Sequence, residues 1–176
     1  MAFYRDAGLS KSPAFCIGPA RRRLAPRVGR LCLAAAAALF ASAAPAQPPL
    51  PAITLHIGAH AIRAEVADTP ETLREGLMDR DRLADSHGML FILGAPDIYC
   101  FWMKNTRIPL SIAFVDAAGR IESIQDMQPQ SLDPHCSARP VAAALEMNQG
   151  WFGRAGVRAG DTVRGVPGRP GAPQEP

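Results

Sequence analysis

Apolar and polar residues alternate along the chain from Ile53 to Asp68 in two short runs. In 53–58, Ile53, Leu55 and Ile57 share one side of an extended chain; in 61–68, Ile62, Ala64 and Val66 do, with Arg63 and Glu65 opposite. A period of two marks a half-buried strand, and Gly58-Ala59 between the runs marks a turn, so the pair predicts a β-hairpin. The pattern then changes at 68–78. Thr69 suits a helix cap, Pro70 the first helical position and Glu71 the positive end of the helix, while Gly76 ends it early.

Residues 79–87 read as a polar loop anchored by Leu83. "GMLFIL" (88–93) and "IYCFWM" (98–103) read as apolar strands joined by a turn at "GAPD". "LSIAFVD" and "RIESIQD" flank Ala117-Ala118-Gly119 and predict a second hairpin. The stretch 127–140 holds three prolines and reads as a long loop. In 141–147, Val141, Ala143, Leu145 and Met147 alternate as one buried side. One or two helical turns over 148–156 and a turn into a last strand over 157–165 complete the domain, and 166–176 reads as a mobile tail. The expected fold is α+β and β-rich: a small single domain with a curled antiparallel or mixed, barrel-like sheet and one or two short helices. Strand and helix do not alternate regularly, which argues against a doubly wound fold.

The first 46 residues follow a different rule. Arg21, Arg22, Arg23, Arg27 and Arg30 form a basic block, "LCLAAAAALFASA" (31–43) is a short apolar run, and "APA" (44–46) offers small residues to a peptidase. These are the three parts of a secretory signal peptide. The apolar run is shorter than the about 20 residues a membrane span needs, although a retained N-terminal anchor is the other reading. Residues 47–52 then form a proline-rich leader to the domain at 53–165. Export to the periplasm, with no stable transmembrane segment after cleavage, is the expected location.

Cleavage changes the charge. The first 46 residues hold 7 of the 19 Lys and Arg and 1 of the 16 Asp and Glu, leaving 12 basic against 15 acidic residues. The domain is therefore about −3, whereas the whole chain is +3, and it has no basic stripe to attract nucleic acid. Two cysteines remain, Cys100 and Cys136. An even count in an exported chain favours a disulfide; two buried thiols are the alternative.

"VADTPETLREGLMDRDRL", "GMLFIL", "FWMKNTRIPLSIAFVDAAGRI", "ALEMNQGW" and "GVRAGDTV", in that order, resemble the family catalogued as domain of unknown function 192. The resemblance spans about residues 53–165. It implies a compact, β-rich domain, often exported in bacteria and archaea. It implies no activity and supplies no catalytic residue.

The candidate chemistry centres on "FWMKNT" (101–106), which holds the one lysine beyond residue 46. If the strand over 98–103 continues to 105, Cys100, Trp102 and Lys104 share one face and Phe101, Met103 and Asn105 the other. Trp102 then offers a stacking platform, Lys104 an anion point, and Arg107 a second cation nearby. The bland reading is that Lys104 pairs with a carboxylate while Asn105 tethers the turn before Pro109. Glu146 faces away from the apolar side of its strand, so it is the carboxylate expected to meet Lys104; Asp68 and Asp161 are further acid–base candidates.

Other chemistries have less behind them. Met78, Met89, Met103, Met127 and Met147 with Trp102 suggest Cu(I), yet methionine is commonly core filler. His56 and His60 lack a third ligand. A Cys100–His135 nucleophile pair would be lost on oxidation, and there is no nucleophile elbow, phosphate loop or dinucleotide fingerprint. Nothing in the sequence calls for a cofactor. Three readings stay open: a non-enzymatic binding or accessory module near FWMKNT that takes a small molecule or an envelope protein; a small hydrolase-like or other acid–base enzyme using Lys104 with a carboxylate; and a periplasmic copper-handling protein.

Overall fold

The computed structural model describes Tyr4–Arg5 and residues 50–168. The expected signal peptide, apart from Tyr4–Arg5, and the end of the tail, from 169, lie outside the described residues. The core of the fold is a curled, mixed sheet of seven strands: β2 (Ala52–Ile57), β3 (His60–Ala67), β4 (His87–Asp97), β6 (Leu110–Val115), β7 (Ile121–Met127), β9 (Val141–Asn148) and β10 (Val163–Arg164). Their order across the sheet is β10-β2-β3-β4-β9-β6-β7. Only β3 and β4 run parallel; the other neighbours are antiparallel. At one end the outer strands are drawn together. Arg120 bridges Thr162, Ile121 donates to the Asp161 carbonyl at 2.8 Å, and Val163 donates to the Gly119 carbonyl at 2.8 Å. The result is a half-barrel.

Both predicted hairpins are present as β2–β3 and β6–β7. Helix α1 (Pro70–Glu75) makes the parallel crossover from β3 to β4. Thr69 caps it, with the Thr72 hydroxyl reaching back to the Thr69 N–H at 3.0 Å, and Gly76 closes it at φ 53°. The short helix α2 (Trp151–Arg154) follows β9. No helix among the described residues is long and apolar enough to cross a membrane.

Two sequence expectations change. "GAPD" is not a turn between separate strands but a bulge inside the 11-residue strand β4. Between Ile92 and Asp97 this strand advances five residues while β9 retreats two, from Ala143 to Val141. Gly94, at φ 82°, accommodates the bend, and the Tyr99 hydroxyl lies 2.8 Å from both the Leu93 and Ala95 carbonyls. The second strand is also shorter than expected. β5 covers Tyr99–Phe101 only and leaves the main sheet, pairing with β8 (His135–Cys136), a strand inside the proline-containing loop. Its other edge pairs with β1 (Tyr4–Arg5), which belongs to the stretch read as signal peptide. The Cys100–Cys136 disulfide, S–S 2.01 Å, joins β5 and β8.

The sheet is buried on both faces. Leu55, Ile62, Leu90, Ala113, Ala143, Leu145 and Met147 fill the inner face together with Trp151 and Phe152 of α2. Met89, Phe91, Ile112, Phe114 and Ala144 form the outer face, covered by Leu73, Leu77, Phe101, Met103 and Ile108. Phe101 sits edge-on to Phe91 and Phe114, at 5.2 and 5.9 Å between centroids. Each such ring removed from water contributes about 1.5–3 kcal/mol. β9, expected to show one buried side, is buried at every residue from Val141 to Met147.

Candidate functional site

The covering layer on the outer face puts one polar residue in an unusual place. Glu146 pairs in register with Met89 on β4 and Ile112 on β6, both members of the outer core. Register extends the row: Glu65 lies beside Met89, and Gln125 beside Ile112. Neighbouring strands are about 4.8 Å apart, so Glu65–Met89–Glu146–Ile112–Gln125 forms a line across five strands with Glu146 at its centre.

The two ends of this row hold the cover. Glu65 takes the guanidinium of Arg80 with both oxygens, at 2.5 and 2.6 Å, which fixes the loop after α1. Gln125 donates to the Cys136 carbonyl at 2.8 Å and lies 3.3 Å from His135 Nδ1, which fixes β8 and, through the disulfide, β5. One step along β9, Asn148 donates to the Leu83 and Ala84 carbonyls at 3.0 and 3.3 Å. Met78, Leu83 and Trp102 pack against the outer core from above.

The loop after α1 and the FWMKNT turn also grip each other. Asp79 donates its N–H to the Asn105 carbonyl at 2.9 Å, and both residues adopt left-handed backbone, at φ 59° and 58°. The Asn105 amide reaches the Met78 sulfur at 3.9 Å. Arg107 bridges Asp79 and Asp81, 3.0 Å from each; these two carboxylates hold its pKa above the ordinary value.

Glu146 itself is wholly buried, and neither carboxyl oxygen has a hydrogen-bond partner. Burial pushes its pKa up from 4.5 to about 8, because a charge in an apolar layer loses its hydration. Trp102 Nε1 and Thr106 Oγ1 are likewise buried and unpartnered. Such groups are rare in folded proteins, where buried donors and acceptors are nearly always satisfied. By contrast, the buried Ser111 bonds Asp126 and accepts from the Gly150 N–H, and the buried Ser137 accepts from Tyr99.

The expected Lys104–Glu146 pair is not formed. The chain leaves β5 after Phe101, so Lys104 falls on an exposed turn while Glu146 lies under the cover. Phe101 and Met103 are core, as alternation predicts, but Trp102 is half-buried against the outer core and not an open platform. Asn105 joins its turn to the loop after α1, through its carbonyl to Asp79 and its side-chain amide to Met78, while the turn itself is closed by the Thr106 N–H on the Met103 carbonyl. Asp68 lies exposed ahead of α1, its N–H 3.2 Å from the Thr72 hydroxyl, and Asp161 caps the turn at Arg158.

His56 and His60 are exposed on the β2–β3 hairpin, and Cys100 is committed to its disulfide. Met89, Met103 and Met127 belong to the outer core and Met147 to the inner. No group of three His, Cys, Asp or Glu among the described residues could hold a metal ion. Sequence reasoning did not single out Glu65, Arg80, Gln125 or Thr106. Asn148 had a signal, as the residue after Met147 in "LEMN".

Comparison with known proteins agrees with the architecture. A structure from Sinorhizobium meliloti 1021, described as a candidate transcription regulator, is 33% identical; the match covers 68% of this chain and 97% of that one, with a TM-score of 0.65. A protein of unknown function from Novosphingobium aromaticivorans DSM 12444 is 38% identical over 70% of this chain and 94% of its own, with a TM-score of 0.64. No curated protein matches. The family model for domain of unknown function 192, described as "Uncharacterized ACR", matches residues 53–165, and the chain belongs to that family.

Proposed function

We propose that the domain is a non-enzymatic binding module that takes part of a small ligand between its sheet and the cover, at Glu146. One observation carries this reading: a wholly buried carboxyl with neither oxygen bonded, beneath a cover pinned around it. A ligand that supplied the missing hydrogen bonds would remove a desolvation cost of about 1–3 kcal/mol per unsatisfied group. The motif strings "GLMDRD", "FWMKNT" and "LEMN" supply the loop, the turn and the strand of this site. An acid–base reading has less support, because Lys104 is exposed and no second titratable group is bonded to Glu146. A nucleic-acid reading would need a basic stripe that the domain lacks.

Export belongs to the same proposal. Its support is the three-part N-terminal segment together with a disulfide of the kind that oxidising compartments preserve. Native mass spectrometry of the protein purified from its own cell envelope tests both parts. The expected result is a chain shortened by about 46 residues carrying a small-molecule mass that Glu146→Gln loses. A bare chain, or a retained mass unaffected by the substitution, would overturn the binding reading.

A further inference from the structure

We infer that the ligand group received at Glu146 is an organic cation, an ammonium on a short alkyl stem; this rests on the binding reading above. The argument begins with the charges around the row. Arg80 is spent on Glu65 through two nitrogens, and Arg107 on Asp79 and Asp81. His135, from β8, lies against Gln125. Lys104 stands on the exposed turn. Among the described residues no cation is bonded to Glu146, and once ionised a buried carboxylate needs one.

The surroundings fit the rest of such a ligand. In register on either side, Met89 and Ile112 present apolar walls to an alkyl stem. Trp102, half-buried against the same core, adds an aromatic ring of the type that attracts cations. Entry requires the cover to lift. The contacts that join its loop and turn include the exposed Arg107 ion pairs, which oppose opening only weakly.

Charge is conserved in the exchange. Empty, the site holds a neutral carboxylic acid at pH 7, in keeping with the raised pKa. When the ammonium binds, the acid gives its proton to solvent and the carboxylate pairs with the arriving cation. Binding thus releases close to one proton per site.

The test is calorimetric titration with n-butylammonium and with 1-butanol, in two buffers of different ionisation enthalpy, on the full chain and on Glu146→Gln. Millimolar n-butylammonium is expected to bind with proton release, 1-butanol to bind at least about tenfold more weakly, and E146Q to lose the ammonium at least about tenfold. Equal binding of the alcohol, absence of ammonium binding, or undiminished binding by E146Q would overturn the inference. The comparison of the two probes on the unmodified chain stands even if E146Q fails to fold. A small-molecule mass retained in native spectra, with no ammonium binding, would refute the cation while leaving the binding module intact.

Discussion

Glu65 and Glu146 occupy one face of the sheet in a single row, separated by Met89, and meet opposite fates. Glu65 receives a guanidinium with both oxygens; Glu146 receives nothing. The first closes the cover at its margin, and the second is the group the cover conceals. The following outcomes are expected from that arrangement.

Stability should fall as pH rises between about 4.5 and about 8, the span of the Glu146 shift. Its folded-state pKa is raised, so the folded protein holds a proton that the unfolded chain releases in this window, and each unit adds about 1.4 kcal/mol in favour of unfolding at full effect. Below the window both states are protonated and the difference vanishes; above it both are ionised and the penalty levels off. Urea melts of the unmodified protein and of Glu146→Gln at pH 5 and pH 8 check this. The substitution should flatten the pH dependence and raise stability at pH 8. Parallel curves for the two proteins would refute the assignment.

Arg80→Ala should loosen the cover. It removes a two-armed, half-exposed ion pair, a loss of roughly 1 kcal/mol in this setting. Hydrogen exchange should speed up in residues 78–84 while the amides of β4 and β9 keep their protection. Arg80→Lys should recover only part of the effect, since an ammonium cannot grip both oxygens.

Arg107→Ala should leave the thermal midpoint unchanged, because Arg107 and its two partners are exposed. A marked fall would show that the loop and the turn depend on these pairs more than their solvent exposure implies.

Gly88→Ala should destabilise the fold by about 1–3 kcal/mol, as overpacking does. A Cβ at Gly88 would lie 2.5 Å from the Glu146 carbonyl oxygen and 2.5 Å from the Met147 sulfur. The sulfur can move; the carbonyl belongs to the central strand and cannot. Chemical denaturation measures the loss.

Replacing Cys100 and Cys136 together by serine should cost roughly 3–4 kcal/mol for a loop of this length. Thiol titration of the unreduced, processed protein should find none free. Reduction should release β8 before the main sheet melts.

The parts of this fold that were legible in the sequence are local. The alternation in β2 and β3, the Thr69–Pro70 start of α1 and the turn before Ile121 each depend on neighbours a few residues away. What was not legible depends on partners distant in the chain. No local pattern announces that β3 and β4 run parallel, or that His135–Cys136 forms a strand inside a proline-containing loop. "GAPD" carries turn residues, and they serve a bulge because the strand has a partner on both sides of it. Glu146 is the instructive residue. Period two correctly placed it opposite Leu145 and Met147, but only the tertiary cover decides that this opposite side is dry. The same cover removed Lys104 from its reach.

The disulfide has a consequence beyond its contribution to stability. The row across the sheet secures the cover at two points, and the far one, at Gln125, reaches β5 only through β8 and the Cys100–Cys136 bond and pairing. Oxidation therefore decides whether the far side of the roof over Glu146 is tied covalently or by strand pairing alone. In a reducing compartment that side of the roof would rest on strand pairing and hydrogen bonds without the covalent tie, so the surroundings in which the protein matures would set how tightly Glu146 is shut in.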